Sequence, residues 1–127
     1  MQEHVEAMVK SLVAVAWVDG RVGSEESEVI EALLAAFEVG GEDAERIRQY
    51  ARTPRTLDDI DLSELSAHDR RMLLQHAVVL TFVDGQQSEE EKTLLRRLAD
   101  RLHIPEAEAR TLIEAASERA RRLVSLL

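Results

Sequence analysis

The chain has 127 residues, of which 25 are acidic and 16 basic, giving a net charge of −9. It contains no cysteine, which excludes disulfides and thiolate metal sites. Aromatic residues, Gly and Pro are scarce, and an excess of Leu, Ala, Glu and Arg favours helices over sheets. The acidic excess lies wholly in residues 1–66, with 15 acidic and 6 basic side chains, whereas residues 67–127 hold 10 of each. A negative chain without a basic stripe repels phosphates, which argues against a nucleic-acid partner. An acidic half attracts cations or a basic protein; otherwise it serves solubility.

Residues Met1 to Glu6 lack a basic n-region, so no signal peptide is read there. The longest apolar run, Leu12 to Val18, falls far short of the ~20 residues that cross a bilayer. The expectation is a single-domain, cytoplasmic protein with no direct membrane insertion.

Apolar spacing of three and four through Val5, Met8, Val9, Leu12, Val13, Ala16 and Trp17 predicts a first helix over residues 2 to 18, apolar nearly all round in its last turns and therefore central. Gly20 stops it. A second helix is predicted from Gly23 to Val39, with Val29, Ile30, Leu33, Leu34 and Phe37 inward and Gly40-Gly41 as its stop. A third covers Glu42 to Arg52, with Ala44, Ile47, Tyr50 and Ala51 inward. Residues 53 to 66 read as a connector, a loop or a short helical turn pinned by Ile60, Leu62 and Leu65. A fourth helix follows Ser66 and runs to Val83, with Met72, Leu73, His76, Ala77, Val79, Leu80 and Val83 near one broad face. Ser88-Glu89-Glu90-Glu91 reads as a capping box that opens a fifth helix, to His103. Pro105 suits the first position of a sixth.

The chain also repeats itself. Shifted by 65 positions, Asp19-Gly20 falls on Asp84-Gly85, Trp17 on Phe82, Glu25-Glu26 on Glu90-Glu91, Leu33 on Leu98, Val39 on Ile104, Ala44 on Ala109 and Ala51 on Ala116. The predicted fold is all-α: a single-domain bundle of six to seven helices, built from two pseudo-twofold related three-helix repeats at about 2–52 and 67–127. A lone repeat could not cover its apolar faces, whereas two packed together could.

Two chemistries suit the acidic turns. Asp19 and Asp84 precede glycine, where aspartate makes Asx turns. Glu26 and Glu91 fall near the third position of the next helix, where glutamate reaches back to the cap. Alternatively, Asp19, Glu26, Asp84 and Glu91 supply the carboxylate oxygens that a hard divalent cation, Ca²⁺ or Mg²⁺, requires. The spacing is not that of an EF-hand loop. His4, His68, His76 and His103 lack the spacing of a zinc helix, and no Gly-rich phosphate loop or activated nucleophile is present. No catalytic residue is assigned, and the chain reads as a non-enzyme. Arg110, Arg119, Arg121 and Arg122 read as the solvated face of a charge-mixed helix.

The segment Ala14 to Gly20 with Glu25-Glu26, and its counterpart Val78 to Gly85 with Glu90-Glu91, resemble the TerB-like family, named for tellurite-resistance protein B. That family includes the N-terminal cytoplasmic domain of DjlA-type membrane co-chaperones. The resemblance implies a bacterial, cytoplasmic helical bundle linked to tellurite and other stress resistance, with a protein partner that is often membrane-associated. It also implies metal binding at Asp19, Glu26, Asp84 and Glu91. The alternative is a metal-independent adaptor whose acidic N-terminal half binds a basic protein. The second copy departs from the first in having Gln87 where the first has Val22, and Gly23 stands where the second has Ser88.

Overall fold

A computed structural model of the chain describes residues 1–20, 28–82 and 88–125, the last three as backbone only. The described residues are all-α, without strands: α1 Glu3–Val18, α2 Glu28–Ala36, α3 Gly41–Ala51, α4 Ala67–Thr81, α5 Glu89–Arg101 and α6 Glu106–Ser125. Two short 3₁₀ turns, Leu57–Asp59 and Leu62–Glu64, lie between α3 and α4. The chain forms two compact units, Met1–Ser66 and Ala67–Leu127, each holding three of the helices.

In the first unit α1 is the central element. It packs against α2, α3 and both 3₁₀ turns. Every residue from Ser11 to Ala16 is buried, as expected of a helix apolar on all sides. The buried hydroxyl of Ser11 donates back to the Ala7 carbonyl, so no polar group is left unsatisfied there. Ile30, Leu33 and Leu34 of α2 are buried, as are Ala44, Ile47 and Ala51 of α3. Tyr50, predicted inward, is half-buried instead. Its ring lies 3.7 Å from the Arg55 guanidinium and 5.1 Å from the Lys10 ammonium, cation–π distances that hold the ring at the boundary.

The connector holds the short helical turns that its sequence allows. Thr56 and Asp59 form a complete capping box around the first turn: the Asp58 N–H donates to Thr56 Oγ1, and the Thr56 N–H donates to Asp59 Oδ2 at 2.7 Å. Leu57, Ile60 and Leu65 are buried, and Leu62 is half-buried.

In the second unit α4 packs against both α5 and α6, which also pack against each other. Its buried residues are Leu73, Leu74, Ala77, Val78 and Thr81. This corrects the predicted face: Val79 is 55% exposed, whereas Leu74 and Val78 are wholly covered. The helix ends at Thr81 rather than Val83. Thr81 Oγ1 donates to the Val78 carbonyl, and the Phe82 N–H donates to the Val79 carbonyl, a tightened last turn. Arg71 of α4 forms a fork–fork ion pair with Glu108 of α6, and Arg70 donates to the Leu102 carbonyl at the end of α5.

The ends of α2 and α5 share one geometry. Glu38 and His103 both adopt left-handed backbone, at φ 54° and 59°. The Glu38 N–H donates to the Ala35 carbonyl and the Val39 N–H to the Leu34 carbonyl; the His103 N–H donates to Asp100 and the Ile104 N–H to Ala99. Each pair of bonds is a Schellman motif. Thus α2 is stopped by Glu38, not by Gly40-Gly41, which open α3 instead. The sixth helix begins at Glu106, one residue later than predicted, with the Pro105 carbonyl accepting from the Ala109 N–H.

Candidate functional site

Asp19 occupies the C-terminal cap of α1 and is half-buried. Its N–H donates to the Val15 carbonyl at 2.9 Å. Gly20 follows at φ 75°, with its N–H on the Trp17 carbonyl. A side chain there would be strained, which explains the Asp-Gly pair. The carboxylate of Asp19 therefore sits at the negative end of a helix dipole, where an anion is disfavoured and a cation favoured. The Asx turn expected of Asp19 would bond N–H groups that lie outside the described residues.

Glu91 is the third residue of α5 and is half-buried. The cap is formed in one direction: the Glu91 N–H donates to Ser88 Oγ at 3.1 Å. The return bond, which would complete the predicted capping box, is not made. Instead Glu91 Oε2 is buried without a hydrogen-bond partner among the described residues. A carboxylate oxygen shielded from water and unpaired is costly, which sets it apart from an ordinary helix cap. The neighbouring Glu89 is exposed and pairs with Lys92.

The other two candidate positions, Glu26 and Asp84, lie outside the described residues. Asp19 and Glu91 fall in different units. Among the described residues no group of three or more His, Asp and Glu side chains is arranged to hold a metal ion.

The histidines have individual surroundings. His4 and His68 are exposed. His76 is half-buried on α4, and burial lowers its pKa from the usual 6.5. His103 is the left-handed residue that ends α5. The arginines of α6 are engaged: Arg110 with Glu106, Arg121 and Arg122 with Glu118, and Arg119 with Gln75 of α4. That is the pattern of a charge-mixed helix rather than an open basic patch.

Trp17 and Phe82, matched in the 65-residue register, are both half-buried. Trp17 Nε1 donates to the Ala51 carbonyl at 2.9 Å. No helix among the described residues is long and apolar enough to cross a membrane.

Residues 60–115 match the model of the family described as Tellurite resistance protein TerB. The TerB resemblance read from the sequence thus holds over that stretch, which takes in Asp84-Gly85 and Glu91 but not Asp19 or Glu26. No curated protein and no solved structure matches the chain.

Proposed function

We propose that the chain is a TerB-type module of bacterial tellurite and related stress resistance, which acts by binding a protein partner in the cytoplasm and not by catalysis. Its acidic turns, Asp19 with Glu26 in the first unit and Asp84 with Glu91 in the second, supply carboxylates to divalent cations, Ca²⁺ or Mg²⁺. The observation that carries the cation is Glu91 Oε2, buried and unpaired where a simple cap would have bonded back to Ser88. The position of Asp19 at the C-terminal end of α1, where a nearby positive charge is favourable, supports it further. An all-oxygen donor set suits a hard cation.

The same reading takes the chain as a duplication. The equal helix count of the two units and the paired Schellman ends at Glu38 and His103, 65 positions apart, support this. It makes the second acidic turn, inside the TerB match, a guide to the first.

Calorimetric titration of metal-stripped protein with Ca²⁺, Mg²⁺, Mn²⁺ and Zn²⁺ tests the cation. The expected result is saturable binding of Ca²⁺ or Mg²⁺ that is lost in Asp84→Asn and Glu91→Gln. Absence of heat up to millimolar cation would reduce the carboxylates to turn and cap residues. The protein would then be the metal-independent adaptor, with the acidic excess of residues 1–66 as its surface for a basic partner.

A further inference from the structure

In the first unit, Arg48 of α3 grips Glu31 of α2 with two parallel hydrogen bonds, Nε to Oε2 and Nη2 to Oε1, each 2.9 Å. This clasp bridges the two helices. At the positions 65 residues on, Glu31 becomes Arg96 and Arg48 becomes Ile113. The second unit therefore has no such clasp between α5 and α6. An open groove of about 900 Å³ lies there. Its floor is apolar, with Ala99, Ile104, Ala109 and Ile113 among the lining residues.

The α5 wall has also changed sign. Ser27, Glu28, Glu31 and Ala32 of the first copy correspond to Lys92, Thr93, Arg96 and Arg97 of the second. Lys92 pairs with Glu89. Arg96 donates only to the Lys92 carbonyl of its own helix. Among the described residues neither Arg96 nor Arg97 has a carboxylate in ion-pair range, and both are exposed at the lip of the groove. Two unpaired guanidiniums beside a strip of buried and half-buried aliphatic side chains form a site for a partner with carboxylates flanking an apolar ridge. The opposite wall is charge-mixed: Glu106 pairs with Arg110 and Glu118 with Arg121, and Glu114 lies beside them. A flat anionic surface such as a membrane would reach the arginines at the lip but not the apolar floor, whereas a helix can enter the groove and present its acidic edge to Arg96 and Arg97.

We infer that the α5–α6 groove is a docking site for an amphipathic helix of a partner protein, whose apolar ridge enters the groove and whose acidic edge meets Arg96 and Arg97. The comparison with the first unit rests on the duplication proposed above; the groove and its unpaired arginines do not.

Two fluorescent helical peptides of roughly 18 residues, about five turns, provide the probe. Both carry the same leucine ridge, flanked along one edge by Glu in one peptide and by Lys in the other. Anisotropy titrations should show the Glu peptide binding at least about tenfold more tightly than the Lys peptide, with the advantage eroded by salt. Amide resonances of α5 and α6 should shift on binding. Arg96→Gln/Arg97→Gln, changes at exposed positions, should weaken the Glu peptide about tenfold. Arg96→Glu/Ile113→Arg should rebuild the clasp, raise the melting temperature and abolish binding. Equal binding of the two peptides, or unchanged affinity in the Arg96→Gln/Arg97→Gln protein, overturns the docking site. So does binding to phosphatidylglycerol vesicles through these residues without peptide binding. A clasp variant that folds without added stability, while the Gln variant still loses the peptide, counts against the duplication alone.

Discussion

Trp17 donates its indole N–H to the carbonyl oxygen of Ala51 across 2.9 Å, joining the last turn of α1 to the last residue of α3. The carbonyls at a helix end lack intrahelical partners, and this bond satisfies one of them. Trp17→Phe keeps an aromatic ring but loses the donor. The expected cost is about 1–2 kcal/mol, from the hydrogen bond and the smaller ring. Urea unfolding followed by circular dichroism measures it. An unchanged midpoint would mean that water replaces the indole at no cost.

Glu38 and His103 sit in left-handed backbone, at φ 54° and 59°, where a β-carbon is strained. Glycine is the usual occupant of that place in a Schellman motif. Glu38→Gly and His103→Gly should each stabilise the protein by about 0.5–1 kcal/mol, after allowing for the greater freedom of glycine in the unfolded chain. The gain should appear as a rise of a few degrees in melting temperature, roughly 2–6 °C. A fall at either position would show that its side chain makes a contact worth more than the backbone strain.

These two residues also mark where sequence reasoning reaches its limit. The first helix is legible because Val9, Leu12, Val13 and Ala16 repeat at helical spacing, and because Asp19-Gly20 is an unambiguous stop. The connector is legible through Ile60 and Leu65, apolar residues isolated among polar ones. The end of α2 misleads, because glycines mark left-handed positions only by tendency, and Gly40-Gly41 stood two residues beyond the residue that takes the turn. The buried face of α4 misleads because Met72, Leu73, Leu74, Ala77, Val78, Val79 and Leu80 ring the helix, so periodicity does not say which way it faces. Of the candidate site, the oxygen chemistry of Glu91 is legible. Its unpaired state is not, because a capping box and a half-made one share the same letters. The exchange of Glu31 and Arg48 for Arg96 and Ile113 was in the sequence throughout. It acquires meaning only when the Arg48–Glu31 clasp is seen.

Acid should destabilise the protein in two windows. His76 is neutralised by burial, with its folded pKa below the usual 6.5, so the unfolded state takes up the proton first. Stability should be full above pH 6.5 and decline as pH falls through the folded value. Glu31 and Glu108 are held below the ordinary 4.5 by hydrogen bonds from Arg48 and Arg71, against a smaller opposing effect of desolvation. Their contribution is present above pH 4.5 and is lost as pH falls through their folded values; both are solvent-screened, so this second step is the shallower. Urea midpoints measured across the range should show the first decline removed by His76→Gln and the second reduced by Glu108→Gln. A midpoint that stays flat from pH 6.5 to about 5 would contradict the burial of His76.

The start of α5 sets the Ser88 cap within four residues of Glu91, for which a ligand role is proposed above. Ser88 Oγ accepts the Glu91 N–H, so Ser88→Ala should cost about 1 kcal/mol whether or not a cation is present. Glu91 is different. Its Oε2 is buried and unpaired, so in chelator Glu91→Gln, which removes the charge, should leave stability unchanged or raise it. Added cation should then reverse the order. A cation at about 100 times its dissociation constant stabilises the native state by ~2.7 kcal/mol, a gain that the wild-type and Ser88→Ala proteins should both receive and Glu91→Gln should miss. Thermal melts in chelator and in excess Ca²⁺ or Mg²⁺, run on both variants, decide the matter. If Glu91→Gln is destabilised in chelator as much as Ser88→Ala, the carboxylate is a cap whose return bond forms in solution. If it is neutral in chelator and fails to respond to cation, Glu91 is a ligand.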